Sequence, residues 1–320
     1  MDLLKEIGEA KKIAISGHVR PDGDAIGSTL ALWKYLTNAC PGAEITVYCD
    51  VNPPTIFACL AGYELMNQTH ICDCAPDVFL ALDVSAPDRI GRALEIFESA
   101  RKTINIDHHE SNVGFCDASV IVPDASSTCE VLFDLLEDKY IDDEVAKSLY
   151  TGIVSDSGVF QYSNMSRHSF EIVGKLVEYD FDGPRIIEET FYQKSYVQNQ
   201  ILGRALLESI LLLDGKIIVS VIDQKMMDFY GVLPKHLEGI VNQLRYTKGV
   251  DVAILMYEMG MQKYKVSMRS TKNVNVADVA VIYGGGGHAM AAGVEMNGNR
   301  YDVINALTEQ ISKQLRVKES

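Results

Sequence analysis

Short apolar runs that end in acidic or histidine residues constrain the fold of this chain most. Thr103-Ile104-Asn105-Ile106 is typical of a buried strand and leads directly into Asp107-His108-His109. Three other clusters are placed alike, namely His18-Val19-Arg20-Pro21-Asp22-Gly23-Asp24, Asp83 after Val78-Phe79-Leu80-Ala81-Leu82, and Asp156 in Gly152-Ile153-Val154-Ser155-Asp156-Ser157-Gly158. Because ligands bind at the carboxyl ends of strands in an open α/β sheet, these side chains are expected to converge. The pattern predicts a metal centre.

The first half of the chain alternates such runs with helical patterns. Further strands are predicted at Lys12 to Ser16 and Glu44 to Cys49. Helices are predicted at Gly27 to Ala39, Ser127 to Asp138, Asp142 to Val154 and Ser169 to Tyr179. Strands that alternate with helices form βαβ units and a parallel sheet covered on both faces. We therefore expect an α/β fold whose N-terminal domain is a doubly wound, mostly parallel sheet.

The pattern changes beyond residue 210. Asp214-Gly215 is a hairpin signal between two apolar runs, and a second strand pair is predicted at Val252 to Glu258 and Lys263 to Arg269. Pro184 can begin a long helix because the first turn does not need its N–H. We expect a metal-binding domain over residues 1–183, a helical linker over 184–210 and a smaller α+β domain over 211–320.

The charge is unevenly distributed along the chain. Its net value is −15, yet residues 211–320 hold 13 basic and 11 acidic side chains, against 16 and 33 in the first 210 residues. An acidic half can hold cations and a mildly basic half can hold phosphate, which favours a small anionic substrate over long duplex nucleic acid. The chain lacks an apolar run of roughly 18 to 20 residues and a signal-peptide pattern, so a cytoplasmic protein without membrane contact is expected.

The acidic clusters match the needs of two divalent cations. The carboxylates of Asp22, Asp24, Asp83 and Asp156 would balance four positive charges, and neutral imidazoles add ligands without adding charge. A calcium loop that began at Asp22 would need glutamate where Trp33 stands. An aspartyl nucleophile of the haloacid dehalogenase type would leave the histidines unexplained.

These motifs, in this order, resemble the DHH phosphoesterase superfamily. The resemblance rests on His18-x-x-x-Asp22-Gly23-Asp24, Asp83, Asp107-His108-His109 and Asp156, and covers nearly the whole chain. Gly284-Gly285-Gly286-Gly287-His288, with Ser267-Met268-Arg269-Ser270 upstream, resembles the glycine-rich substrate domain of that family. Such an ordered set is far more specific than any single motif.

The resemblance implies a role for each motif residue. One metal takes His18, Asp22 and Asp83, and the other takes Asp24, Asp83, His108 and Asp156, so that Asp83 bridges them. Manganese is favoured, with magnesium and cobalt as alternatives. Asp107 is expected to orient an imidazole and His109 to face the substrate. The substrate phosphate is assigned to a set in the C-terminal domain, namely Arg269, Ser270, Gly285, Gly286, Gly287 and His288.

The two-domain length most resembles the family members that act as bifunctional oligoribonuclease and pAp phosphatase. The implied substrates are RNA fragments of a few nucleotides, linear dinucleotides such as pApA and pGpG, and 3'-phosphoadenosine 5'-phosphate (pAp). Alternatives are a single-strand exonuclease, a cyclic-dinucleotide phosphodiesterase and a nucleotide-binding regulator without turnover. A homodimer is compatible with the sequence, which leaves the oligomeric state open.

Overall fold

The computed structural model describes residues 1–70, 75–162 and 164–319, and the chain divides into two compact units. The first unit spans Met1–Gln193 and the second Lys194–Ser320. No helix in the described ranges is both long enough and apolar enough to cross a membrane.

The first unit contains the expected parallel sheet. Its strands are β1 (Lys12–Ser16), β2 (Glu44–Tyr48), β3 (Val78–Leu82), β4 (Thr103–Asp107) and β5 (Ala118–Ile121). All neighbouring pairs are parallel, in the order β2-β1-β3-β4-β5. Every residue of β3 is buried, as expected for a strand covered on both faces. The doubly wound fold is confirmed, although β5, which is only partly buried, was not predicted.

Seven α-helices in the described part of the first unit accompany this sheet. They are α1 (Leu3–Ile7), α2 (Gly23–Ala39), α3 (Leu94–Ser99), α4 (Thr128–Phe133), α5 (Asp143–Asp156), α6 (Arg167–Leu176) and α7 (Gly183–Ile187). The start of α2 lies before the predicted Gly27, because the Asp22 carboxylate caps the N–H groups of Asp24 and Ala25. α4 is half the predicted length. Asp156 ends a helix and does not follow a strand, so its cluster is not placed like the others.

Helices α2 and α5 pack with their backbones in close contact at two glycines. A Cβ atom on Gly27 would lie 2.6 Å from the carbonyl oxygen of Ser148 and 2.9 Å from the backbone nitrogen of Gly152. No larger residue fits at this crossing without moving one of the helices. The crossing brings the N-terminal turn of α2, with Asp24, next to the C-terminal turn of α5, with Asp156.

The predicted linker is not one continuous helix. After α7, a π-helical turn covers Glu188–Tyr192, and α8 (Tyr196–Leu207) begins after a break. The break arises because the side chains of Ser195 and Gln198 cap the start of α8 reciprocally, a capping-box pattern that the sequence also contains. The boundary between the two units falls at this break.

The second unit is built on a mixed sheet of six strands. They are β6 (Ile210–Leu212), β7 (Ile217–Ile222), β8 (Val252–Gly260), β9 (Lys263–Ser270), β10 (Gly286–His288) and β11 (Ala291–Asn297), in the order β10-β11-β9-β8-β7-β6. The predicted hairpin is present as β6–β7, and the second predicted strand pair is present as the antiparallel pair β8–β9. The other helices are α9 (Gln224–Tyr230), α10 (Ile240–Arg245), α11 (Val276–Ile282) and α12 (Arg300–Glu319).

Candidate metal centre

The structure brings the predicted metal ligands of the first unit together. Three sets of side chains offer ligand atoms that lie within 4.8 Å of one another: His18, Asp22 and Asp83; Asp24, His108 and Asp156; and Asp83, His108 and His109. They come from the loop after β1, the first turn of α2, the residue after β3, the loop after β4 and the end of α5. Residues that are distant in sequence thus form one cluster.

The two oxygens of Asp83 face different histidines. Oδ2 lies 3.4 Å from Nε2 of His18, and Oδ1 lies 3.7 Å from Nε2 of His108. Nε2 of His18 is also 3.7 Å from Oδ2 of Asp22, and Nε2 of His108 is 3.5 Å from Oδ2 of Asp156. Asp83 therefore stands between two donor groups, as a carboxylate shared by two cations would.

The backbone at Asp83 has an uncommon conformation that other residues hold in place. Its φ is +58°, in the left-handed region that few residues other than glycine adopt. The carbonyl of the next residue, Val84, accepts hydrogen bonds of 3.1 Å from the side-chain amides of both Asn105 and Asn112. These two amides fix the chain just beyond Asp83 and so fix the direction of its carboxylate.

Asp24 is almost completely buried, and the start of α4 holds its carboxylate. Its oxygens accept hydrogen bonds from the backbone N–H groups of Thr128 (2.6 Å) and Cys129 (3.0 Å). The hydroxyl of Thr128 donates to Oδ1 of Asp83 at 3.0 Å. Thr128 thus positions carboxylates of both donor groups.

The charges of the cluster repel one another when no cation is bound. Burial, followed by the charges of Asp83, Asp156 and Asp22, raises the pKa of Asp24 well above its ordinary value. Burial and the same repulsion raise the pKa of Asp156 to about 6, with His108 opposing the shift. Carboxylates this close cannot all ionise unless positive charge compensates them. Together with the oxygen and nitrogen donors, this fits divalent cations.

His18 supplies part of that compensation in the absence of metal. Burial lowers the pKa of its imidazole, but hydrogen bonds to Asp22 and Asp83 outweigh that effect and raise the pKa to about 10. Its Nδ1 lies 2.8 Å from the carbonyl oxygen of Val19, which leaves Nε2 directed at the carboxylates. A cation would displace the proton on Nε2, since a ligating imidazole must present a free lone pair.

Asp107 orients His109 and not His108. Nδ1 of His109 donates to Oδ1 of Asp107 at 2.7 Å, and the amide of Asn112 donates to Oδ2 at 2.6 Å. Asp107 is fully buried, whereas the His109 side chain is 42% exposed. Nδ1 of His108 lies instead 3.3 Å from the carbonyl oxygen of Ala125. The adjacent histidines are therefore held by different partners.

The predicted substrate residues lie in the second unit and differ in accessibility. Arg269 is partly buried and donates from Nε to Asn242 at 3.1 Å. Ser270 is 3% exposed, and its hydroxyl hydrogen-bonds the carbonyls of Val274 and Ala289, so it supports the turn after β9 and is not presented to a ligand. His288 is exposed on β10.

The four glycines before His288 are not equivalent. A Cβ atom on Gly285 would lie 2.4 Å from the carbonyl oxygen of Gly293, and one on Gly287 would lie 2.4 Å from that of Ala291. Packing against β11 therefore requires both. Gly284 has a φ of +79°, which favours glycine. Gly286 is exposed with no atom within 4 Å of an added Cβ, so a requirement for glycine there would come from a ligand.

Three residues that hold the cluster in place, Asn105, Asn112 and Thr128, were missed from the sequence. Asn105 interrupts an apolar strand, which is a signal that a buried amide has a partner. Ser127-Thr128 precedes an apolar helix and is typical of a cap. Asn112 gave no signal, because its partners Asp107, Asn105 and Val84 become neighbours only when the loop after β4 folds back.

Comparisons with known proteins agree with this architecture. Residues 12–153 match the N-terminal domain of the DHH family, and residues 214–316 match the DHHA1 domain. The bifunctional oligoribonuclease and PAP phosphatase NrnA of Thermus thermophilus is 29% identical over 98% of this chain and 95% of that protein. NrnA of Bacillus subtilis is 25% identical over 92% of each.

A solved structure has the same fold over nearly the whole chain. It is that of an exopolyphosphatase-related protein from Bacteroides fragilis, with a TM-score of 0.88 and 24% identity. The alignment covers 99% of this chain and 96% of that one. The likeness extends the agreement on fold to both units.

Proposed function

This chain is a member of the DHH family, and we propose that it is a metal-dependent phosphoesterase that hydrolyses short oligoribonucleotides, linear dinucleotides and pAp. The observation that carries the proposal is the position of Asp83, whose two oxygens face separate donor groups. Two cations a few ångströms apart are the usual catalysts of phosphoester hydrolysis. The NrnA relatives, which this chain matches over nearly their full length, are named oligoribonuclease and PAP phosphatase, which supports the oligoribonucleotide and pAp parts of the proposal.

In this proposal His18, Asp22 and Asp83 hold one cation, and Asp24, Asp83, His108 and Asp156 hold the other. When bound, the cations supply positive charge that stabilises the phosphoryl oxygens and lowers the pKa of the attacking water. Manganese is our choice among manganese, magnesium and cobalt, because the donor set mixes imidazole with carboxylate. The backbone amides of Thr128 and Cys129 keep Asp24 in its place as a donor.

His109 is proposed to act on the substrate. Its hydrogen bond to Asp107 raises the pKa of the ring, although burial opposes this, so His109 holds a proton more readily than a free histidine. With Nδ1 engaged by Asp107, Nε2 is the nitrogen left to contact a phosphate oxygen or to protonate the leaving oxygen. Arg269, Gly285, Gly286, Gly287 and His288 are proposed to bind substrate phosphate, with Gly286 as the position most open to it.

The preference for short substrates can be tested directly. The purified chain, loaded with manganese, would be assayed on pAp, on pApA and on an RNA of about 24 nucleotides. We expect turnover of pAp and pApA, loss of turnover with EDTA and recovery with manganese. Comparable rates on pApA and the longer RNA would refute the short-substrate preference.

One proposal from another class predicts a different result. A nucleotide-binding regulator would retain pAp on the manganese-loaded protein without releasing phosphate in a single turnover. Release of phosphate at a stoichiometric or greater amount excludes it. Location in the cytoplasm and a homodimeric state stay predictions, which cell fractionation and sedimentation velocity would check.

A further inference from the structure

A left-handed turn follows the proposed ligand Asp156. Gly158, Val159 and Phe160 have φ values of +57°, +56° and +63°. Left-handed conformations are unfavourable for residues with a Cβ atom, most of all for a β-branched residue such as Val159. Hydrogen bonds from the backbone nitrogen of Val159 to the Val154 carbonyl (2.9 Å) and from that of Phe160 to Oγ of Ser157 (3.0 Å) hold the turn. Strain of this kind is concentrated at functional sites.

The turn brings the ring of Tyr162 back onto Gly158. A Cβ atom on Gly158 would lie 2.5 Å from Cζ, 2.7 Å from Cε2 and 2.9 Å from Cε1 of that ring. Only glycine leaves room for the ring at this point. Tyr162 is nevertheless 50% exposed. The result is an aromatic ring that packs against the backbone and remains half open to solvent. Its contact, Gly158, lies two residues beyond Asp156.

Beyond Tyr162, Asn164 contacts the segment that precedes α4. The amide nitrogen of Asn164 donates to the carbonyl oxygen of Ser126 at 2.8 Å. The preceding carbonyl, that of Ala125, is the one that lies 3.3 Å from Nδ1 of His108. The loop thus begins at the proposed ligand Asp156, and Asn164 holds its other side beside the residue whose carbonyl contacts His108. Tyr162 lies on the loop between these two points.

Phe160, the other aromatic residue of the turn, has a different environment. Its ring packs against Phe170 with a centroid distance of 5.9 Å, and it belongs to the partly buried layer around the core. Phe160 therefore anchors the turn. Tyr162 is the aromatic side chain of this loop that is free to accept a ligand on its exposed side.

We propose that a nucleobase of the substrate stacks on Tyr162 while the adjoining phosphate lies at the metal centre. This inference rests on the proposed function and adds a base contact in the catalytic unit, where the motif residues bind only metal and phosphate. Stacking on an aromatic ring tolerates every base, because each base has a π face. It would favour nucleotides over other phosphoesters without selecting a sequence.

Two variants separate stacking from packing. Tyr162→Leu keeps an apolar cover over Gly158 but removes the π face, and Tyr162→Phe keeps both. With pAp, we expect KM to rise about tenfold for Tyr162→Leu, equivalent to about 1.4 kcal/mol, with kcat unchanged and with Tyr162→Phe like the wild type. An abasic analogue of pAp, with hydrogen in place of adenine, should give the same KM for all three proteins.

The stacking can also be read by fluorescence in the first moments after mixing, before the dinucleotide is hydrolysed. A dinucleotide that contains 2-aminopurine, titrated into the manganese-loaded chain, should lose fluorescence with the wild type and with Tyr162→Phe but not with Tyr162→Leu. Equal KM values for pAp in wild type and Tyr162→Leu, equal quenching, or a lower manganese affinity of Tyr162→Leu would each overturn the proposal. Quenching without hydrolysis would refute the proposed function alone, because it would establish the base contact in an inactive protein.

Discussion

Replacement of Gly152 by alanine tests whether the packing of α2, α4 and α5 sets the geometry of the metal centre. An added Cβ atom would lie 2.2 Å from Sγ of Cys129, 2.9 Å from Oδ1 of Asp24 and 3.1 Å from Cβ of Cys129. Ordinary contacts begin at about 3.4 Å, so the sulfur must move by more than about 1 Å. Cys129 also donates its backbone N–H to Asp24, so this movement would disturb a proposed metal ligand.

Two opposing effects set the size of the change. Overpacking a buried site costs about 1–3 kcal/mol, whereas alanine in a helix interior is about 0.5–1 kcal/mol more favourable than glycine. We therefore expect a net loss of about 1–2 kcal/mol in the free energy of unfolding of the first unit. The displaced amides should weaken manganese binding about tenfold, as changes to residues that orient metal ligands commonly do.

The single tryptophan of the chain makes the measurement specific to the first unit. Trp33 lies in α2 and contacts Gly62, so its fluorescence in urea follows the unfolding of this unit. Manganese affinity would be measured by calorimetric titration of the folded protein. Gly174→Ala is the matched control, because it adds the same methyl group to α6 with no atom within 4 Å. It should raise stability slightly and leave manganese affinity unchanged.

A second substitution identifies the clash. Cys129→Ala removes the sulfur that the new methyl group would meet first. The double variant, Gly152→Ala with Cys129→Ala, should therefore lose less stability than the two single variants lose in sum. A coupling of at least about 0.5 kcal/mol is expected for groups in direct contact. Additive losses of stability in the double variant would refute this account of the helix packing. So would a Gly152→Ala protein with the same stability and manganese affinity as the Gly174→Ala control.

Three further predictions concern the shared ligand, the glycine loop and pH. Asp83→Ala should abolish turnover of pAp because both donor groups lose ligand atoms. The control Asp88→Ala, at an exposed carboxylate five residues further along the chain, should leave kcat unchanged. A near-normal kcat in Asp83→Ala would contradict the shared role of Asp83. Gly286→Ala should keep the wild-type melting temperature and raise KM for pAp about tenfold, which is equivalent to the loss of about one hydrogen bond to a charged group. The comparison variant Gly285→Ala should lower the melting temperature. An unchanged KM in Gly286→Ala would show that Gly286 does not belong to the phosphate site. Burial raises the pKa of Asp251, but the hydrogen bonds to its carboxylate outweigh that effect and lower the pKa below 3.8. This carboxylate therefore stabilises the second unit at neutral pH and loses its effect as the pH falls through its lowered pKa. The protection of β8 amides against hydrogen exchange should be lower in Asp251→Asn than in wild type by about 1 kcal/mol at pH 7, and by less at pH 3. An equal difference at both pH values would exclude the carboxylate charge as the cause.

Much of the architecture could be predicted because its causes are local. Strands β1, β3 and β4 follow from short apolar runs, and the hairpin β6–β7 follows from its turn residues. The break before α8 follows from a capping box that the predicted long helix overlooked. The early start of α2 likewise follows from the Asp22 cap. These errors concern element ends, where a few side-chain hydrogen bonds decide between helix and turn.

The order of motifs along the chain was sufficient to identify the family and to nominate the ligands, because residue type and spacing carry the chemistry of metal binding. Spacing could not reveal the contacts between segments. These are the hydrogen bond of Asp107 to one of two imidazoles, the link that Thr128 makes between Asp24 and Asp83, the need for glycine at position 152 and the packing of Tyr162 on Gly158. Each depends on contacts between segments whose separation is set by helix packing or by a strained turn. Periodicity reports which face of an element is buried, but only the folded chain determines what that face meets.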